Sequence, residues 1–107
     1  MTRYYDRAGN PMERPDAWAK KFEDATYMRV AETTLPDGRW VSTVWLGLDH
    51  SFEQGPPLIF ETMVFAGRGD LSELYCKMYS TEQEAKAGHE AVVKALLDGV
   101  DPDDLAL

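Results

Sequence analysis

Residues 58–99 read LIFETMVFAGRGDLSELYCKMYSTEQEAKAGHEAVVKALLDG, and the spacing of their apolar residues changes midway. The run 58–65 is apolar apart from Glu61, which suits a strand. Ala66 to Asp70 is a Gly-rich turn. Residues 71–79 then alternate, which places Leu74, Cys76 and Met78 on one face and Glu73 and Lys77 on the other. Beyond Tyr79 the spacing becomes helical. Ser80 with Gln83, or Thr81 with Glu84, fits a capping box. Ala85, Gly88, Val92, Val93 and Leu96 recur at the spacing of a core-facing stripe, and Gly99 suits a C-cap. Two strands joined by a tight turn, then a helix with one apolar stripe to bury, predict an α+β fold.

Upstream, residues 27–35 and 39–48 read as two more strands about the turn Pro36-Asp37-Gly38. The second contains Trp40, Val41, Val44, Trp45, Leu46 and Leu48, and this apolar density suits a central strand covered on both faces. Residues 49–57 form a polar loop that closes on Gly55-Pro56-Pro57. At the start, Tyr4 and Tyr5 precede the turn signal Gly9-Asn10-Pro11 and begin a short ribbon. Pro15-Asp16 opens a short helix with Asp16 as N-cap, on which Trp18 and Phe22 share a face. The expected architecture is a four-stranded antiparallel β-meander, with a C-terminal α-helix packed on one face and a short N-terminal helix. It forms a single domain over 1–107, with a flexible acidic tail from about 99 to 107. The second sheet face needs cover from the N-terminal helix or from a second copy of the chain.

A chain of 107 residues fits one domain, long enough to bury a core without disulfides or metals. Nineteen acids against eleven bases give a net charge of −8, which argues against direct contact with nucleic acid because such contact rests on Lys and Arg. Acidity suits solubility, a basic partner protein or mimicry of a nucleic-acid surface. The single Cys76 excludes a disulfide framework. The opening MTRYYDRAGNP lacks the apolar stretch of a signal peptide, and no run of about 18 apolar residues marks a membrane span. The expected location is the cytoplasm.

Asp49, His50, Glu61 and His89 are residue types used for metal binding and acid–base work. Asp49-His50 ends a strand, where functional loops often lie, but Asp49 is also the type that hydrogen-bonds its own loop. Glu61 inside an apolar strand either faces solvent or is buried and paired. His89 lies on the helical stripe as a ligand or as a core histidine with a satisfied hydrogen bond. If Leu48 pairs with Leu58, Trp45 faces Glu61, and Asp49 lies roughly 13 Å further along. That distance argues against a single metal site. There is no HExxH, Cys/His zinc pattern, Walker loop or dinucleotide fingerprint. Cys76, alternating with Leu74 and Met78, reads as a small hydrophobe rather than a nucleophile. Trp40, Trp45, Phe52, Phe60 and Phe65 read as core, and any left exposed would mark an interface. The candidate binding residues are therefore Asp49, His50, Glu61, His89 and Trp45. No catalytic residue, metal or cofactor is assigned.

The segment VSTVWLGLDHSFEQGPPLIFETMVF, residues 41–65, with the later YSTEQEAKAGHEAVV, resembles a family of small proteins encoded by bacteriophages and prophages. The resemblance runs from near Trp40 to Val93 and leaves out both ends of the chain. It implies a phage or mobile-element origin and a bacterial cytoplasm, and it carries over no activity and no catalytic residue. The leading expectation is an accessory protein that binds a host or phage protein and can inhibit a host factor, with a homodimer as one way to cover the sheet. Two alternatives stand beside it. One is a small enzyme or ligand- or metal-binding protein using the Asp49-His50 loop. The other is a minor structural protein of a phage particle.

Overall fold

The computed structural model describes residues 3–49 and 55–105. Strands β1 (Tyr4–Tyr5) and β2 (Pro11–Met12) form a two-stranded ribbon. Helices α1 (Pro15–Phe22) and α2 (Ala25–Met28) follow. The main sheet takes β3 (Arg29–Thr34), β4 (Trp40–Trp45), β5 (Phe60–Gly67) and β6 (Asp70–Tyr79) in the order β3-β4-β5-β6, each pair antiparallel. Helix α3 (Glu82–Leu97) crosses one face, and a 3-10 turn at Pro102–Asp104 follows. The α+β meander is as the sequence pattern requires.

Local chemistry explains the element ends. Thr81 and Glu84 form a reciprocal capping box at the start of α3, which satisfies amides that the helix leaves unpaired. Gly99 follows the last turn of α3 with φ +88, a conformation that an L side chain rarely adopts. Helix α1 starts one step earlier than its acid suggests. Arg14 is its N-cap and Pro15 takes the first turn, where a missing N–H costs nothing. Asp16 instead accepts from the Arg14 guanidinium at 2.7 Å.

The β4–β5 register is Trp45 opposite Phe60 and Val44 opposite Glu61. Trp45 therefore does not face Glu61. The loop closes one residue away from a Leu48–Leu58 pairing, and a one-residue shift exchanges the faces of every side chain in a strand. Val41, Thr43 and Trp45 point to α3 with Val64, Thr62 and Phe60 as their cross-strand partners, and all six are fully buried.

The core has two clusters on this one face. Leu35, Val41, Val64, Val92 and Leu96 form the first, and Trp45, Ile59, Phe60, Tyr79 and Ala85 form the second. Tyr5, Trp18, Tyr27, Met28 and Val30 close over the second cluster. Trp45 donates from Nε1 to the Tyr5 carbonyl at 3.0 Å, and Trp18 donates to the Leu46 carbonyl at 2.9 Å. Arg7 donates to Glu82 at 2.7 Å, tying the N-terminal ribbon to the start of α3. Among the described residues, the N-terminal helices extend the layer begun by α3 and leave most of the other sheet face open, with Ala25 and Met28 of α2 reaching only its edge. Leu105, in the expected flexible tail, is half-buried against the first cluster, because the 3-10 turn carries it back to the sheet.

Strand β6 departs from simple alternation. Val64 pairs with Tyr75 and Phe65 with Glu73, so Leu74 sits in a bulge and packs on the core. Tyr75, Lys77 and Tyr79 share the helix side, while Cys76 and Met78 share the open side with Met63 and Glu61. The expected grouping of Leu74 with Cys76 and Met78 is broken by this extra residue. Cys76 is exposed rather than buried.

Candidate functional site: the open face of the sheet

Three cross-strand rows make up the uncovered face. The first is Arg29, Val44, Glu61 and Met78, and the second is Glu32, Ser42, Met63 and Cys76. The third is Thr34, Trp40, Phe65 and Glu73. None of these twelve residues is buried. Trp40, Val44, Met63, Phe65 and Met78 form an apolar strip across β4, β5 and β6. Trp40 and Phe65 stack with centroids 5.3 Å apart. Arg68 folds back from the β5–β6 turn, places its guanidinium 4.8 Å from the Trp40 ring centre and donates to Thr34 Oγ1 at 2.9 Å. A hollow of about 350 Å³ opens beside it, over Trp40, Ser42 and Val44 and bordered by Arg29 and Arg68.

Glu61 sits in the first row of this face, between Val44 and Met78. Its carboxylate accepts from the Cys76 thiol at 3.3 Å, and no cation among the described residues lies within ion-pair distance of it. Burial, reinforced by the Glu61 carboxylate, pushes the Cys76 thiol up to about 12. It remains protonated at neutral pH and is a poor nucleophile.

The other candidate residues lie apart from Glu61. His89 is on the opposite side of the sheet, 5 % exposed beneath α3. Its Nδ1 bonds Thr43 Oγ1 at 2.8 Å and its Nε2 bonds Thr33 Oγ1 at 2.9 Å. Thr43 in turn bonds Thr62. The histidine closes a hydroxyl chain across β3, β4 and β5 and has no ring nitrogen left for a ligand. Burial pushes its pKa down, and nearby Glu90 opposes part of that shift. Asp49 accepts from the Leu58 amide at 3.1 Å and so braces its own loop. Trp45 is fully buried core. His50 and Phe52 lie outside the described residues. No group of three His, Cys, Asp or Glu among the described residues is arranged to hold a metal. Nor is any helix there long and apolar enough to cross a membrane.

Two other grooves flank α3. One of about 310 Å³ runs along β3 past Thr33, His89 and Leu97. The other, of about 530 Å³, runs along β6 past Leu58, Tyr79 and Ala91. The first also carries Glu90, Lys94 and Asp98, but both ring nitrogens of His89 there are held by threonine hydroxyls. Comparison with known protein families, curated proteins and solved structures finds no match to this chain.

The sequence pattern singles out Glu61 but passes over its neighbours on this face. The signal for them is that strand 40–45 is apolar at both parities, with Trp40 and Val44 on one side and Val41 and Trp45 on the other. Such a strand needs two covers. Among the described residues, only the helix side has a full one.

Proposed function

We propose that this chain is a non-enzymatic accessory protein that works by protein–protein contact, with the open sheet face as its contact surface. The carrying observation is the uncovered strip of Trp40, Val44, Met63, Phe65 and Met78, framed by Arg29, Arg68, Glu61 and Glu73. An apolar centre with a charged frame is the usual layout of a protein interface. Trp and Arg, which dominate interface energetics, are stacked here at Trp40 and Arg68. The resemblance of the 41–65 segment to phage and prophage proteins supports a partner of host or phage origin.

The test compares affinity capture from bacterial lysate by the wild-type chain and by Val44→Glu. This variant places a charge on the open face and leaves the helix side untouched. Specific capture by the wild type that the variant loses, with both equally folded, is the expected result. Equal capture by both would place the contact surface elsewhere.

A further inference from the structure

We infer that the occupant of the open face is a second copy of this chain, bound through a two-fold axis that pairs Arg29 of each copy with Glu61 of the other. This inference rests on the reading of the open face as a contact surface. Arg29 and Glu61 belong to the same cross-strand row, Arg29 on edge strand β3 and Glu61 two strands away on β5, with Val44 between them. Within one chain they do not pair. Arg29 makes only a loose contact with Glu32 at 3.6 Å, while Glu61 has the Cys76 thiol and no cation within reach.

Symmetry decides what lies opposite each row. Two sheets packed face to face about a two-fold axis must have that axis in the plane between them. If it runs along the strands, each row faces the same row of the partner, offset only by the crossing of about 30° that sheet twist imposes. Left and right exchange, so β3 lies over the partner's β5–β6 side. Arg29 then reaches Glu61 of the partner, twice per dimer. An axis running across the strands would instead set β3 on β3 and reverse the rows, so that Arg29 of one copy and Glu61 of the other lie at opposite ends of the face.

The remaining charges agree with the first arrangement. The β3 side of the face carries Arg29 and Arg68 against Glu32, while the β5–β6 side carries Glu61 and Glu73 with no base. Exchange of left and right sets a basic side on an acidic side at both ends. Trp40, Val44, Met63 and Phe65 close between them. Four strands about 4.8 Å apart and rows spanning five or so residues at about 3.4 Å give a footprint of roughly 330 Å² on each copy, about 650 Å² over both, the size of a weak contact. The dimer is therefore expected to be weak, with a dissociation constant of about 0.1 mM.

The test is sedimentation velocity on the full chain over a concentration series to about 0.5 mM. It uses wild type, Arg29→Glu, Glu61→Arg and the double swap, with circular dichroism to confirm the fold. Arg29 is exposed, so its reversal leaves the fold intact. The expected result is a wild-type dimer, a rise in dissociation constant of about tenfold or more for each single reversal, and recovery in the double swap. A wild-type chain that stays monomeric overturns the inference. So does a dimer that ignores both reversals, or one that the double swap fails to restore. A monomer whose Val44→Glu variant still loses a captured protein sinks self-association alone. A monomer whose variant captures normally sinks the contact surface as well.

Discussion

Gly88 of α3 stands directly over the phenol of Tyr79 at the end of β6, with no room between them for a β-carbon. A side chain at 88 would meet the phenol oxygen and the ring itself. Tyr79 is buried, and its hydroxyl has no hydrogen-bond partner of good geometry. Burial raises its pKa, offset in part by the Thr62 hydroxyl. The helix lies this close to the sheet because residue 88 has no side chain.

Gly88→Ala should therefore destabilise the fold, although alanine favours a helix by about 1 kcal/mol. Forcing the ring aside in a packed core costs about 1–3 kcal/mol, so the net effect is a loss. Tyr79→Phe should be neutral or stabilising, since it removes a buried, unpaired hydroxyl. Urea unfolding of both variants checks this. A Gly88→Ala variant more stable than wild type would show that α3 can shift freely.

Thr43→Val should cost about 1–3 kcal/mol, because it strands His89 Nδ1 and the Thr62 hydroxyl in the core. Thr33→Val, at the edge of the same chain of hydroxyls, should cost less because Thr33 is only half-buried. Chemical denaturation of the two variants side by side separates them. Equal losses would contradict the ordering by burial.

His89 makes stability depend on pH on the acid side of neutrality. Its folded-state pKa lies below its unfolded value near 6.5, so the unfolded chain binds the proton more readily. The His89 contribution is complete above about pH 6.5 and declines as pH falls towards the depressed folded value. Glu82 is held below the ordinary carboxylate range, chiefly by its hydrogen bond from Arg7, so its own contribution fades only at more acid pH. Melting temperature should fall between pH 7.5 and about 5.5 in wild type and fall less in His89→Gln. Parallel pH profiles would remove His89 as the cause.

Cys76 should react slowly with iodoacetamide at pH 8 despite its exposure, because its thiol pKa is pushed up to about 12. Glu61→Gln removes the carboxylate that reinforces this shift, so the rate should rise. A wild-type rate equal to that of a free thiol would show that the Glu61–Cys76 contact does not persist in solution.

Asp49→Ala should cost about 1 kcal/mol, the usual worth of one hydrogen bond, because the carboxylate accepts from the Leu58 amide. Asp49→Asn keeps an acceptor and should recover most of that loss. Thermal unfolding of both variants is the check. An Asn variant as weak as the Ala variant would mean that the charge, not the hydrogen bond, braces the loop.

The turns, the order of the strands and a capping box at the start of the last helix are legible in the chain, whereas the pair that forms the box and the role of His89 each stay open between two readings until the structure gives Thr81–Glu84 and a buried histidine. Each follows from a local pattern: Gly and Pro punctuation, period-two or helical spacing, or one side chain meeting a nearby amide. The site was legible only in part. Glu61 stands out as a charge in an apolar strand, but Arg29 looks like an ordinary exposed base until the register places it in the same row.

An antiparallel meander followed by an amphipathic helix can be read from the chain alone, because alternation and helical spacing are properties of neighbouring residues. Long-range packing set which side of the sheet that helix and the N-terminal helices share. It also decided that Trp45 meets Phe60 rather than Glu61, and that Cys76 faces outwards. Period-two alternation is unchanged by a one-residue slip, so no local pattern can choose between the two registers. That choice falls to the packing of Trp45, Phe60 and Tyr79 against α3 and the N-terminal aromatics, which among the described residues leaves most of the opposite face open.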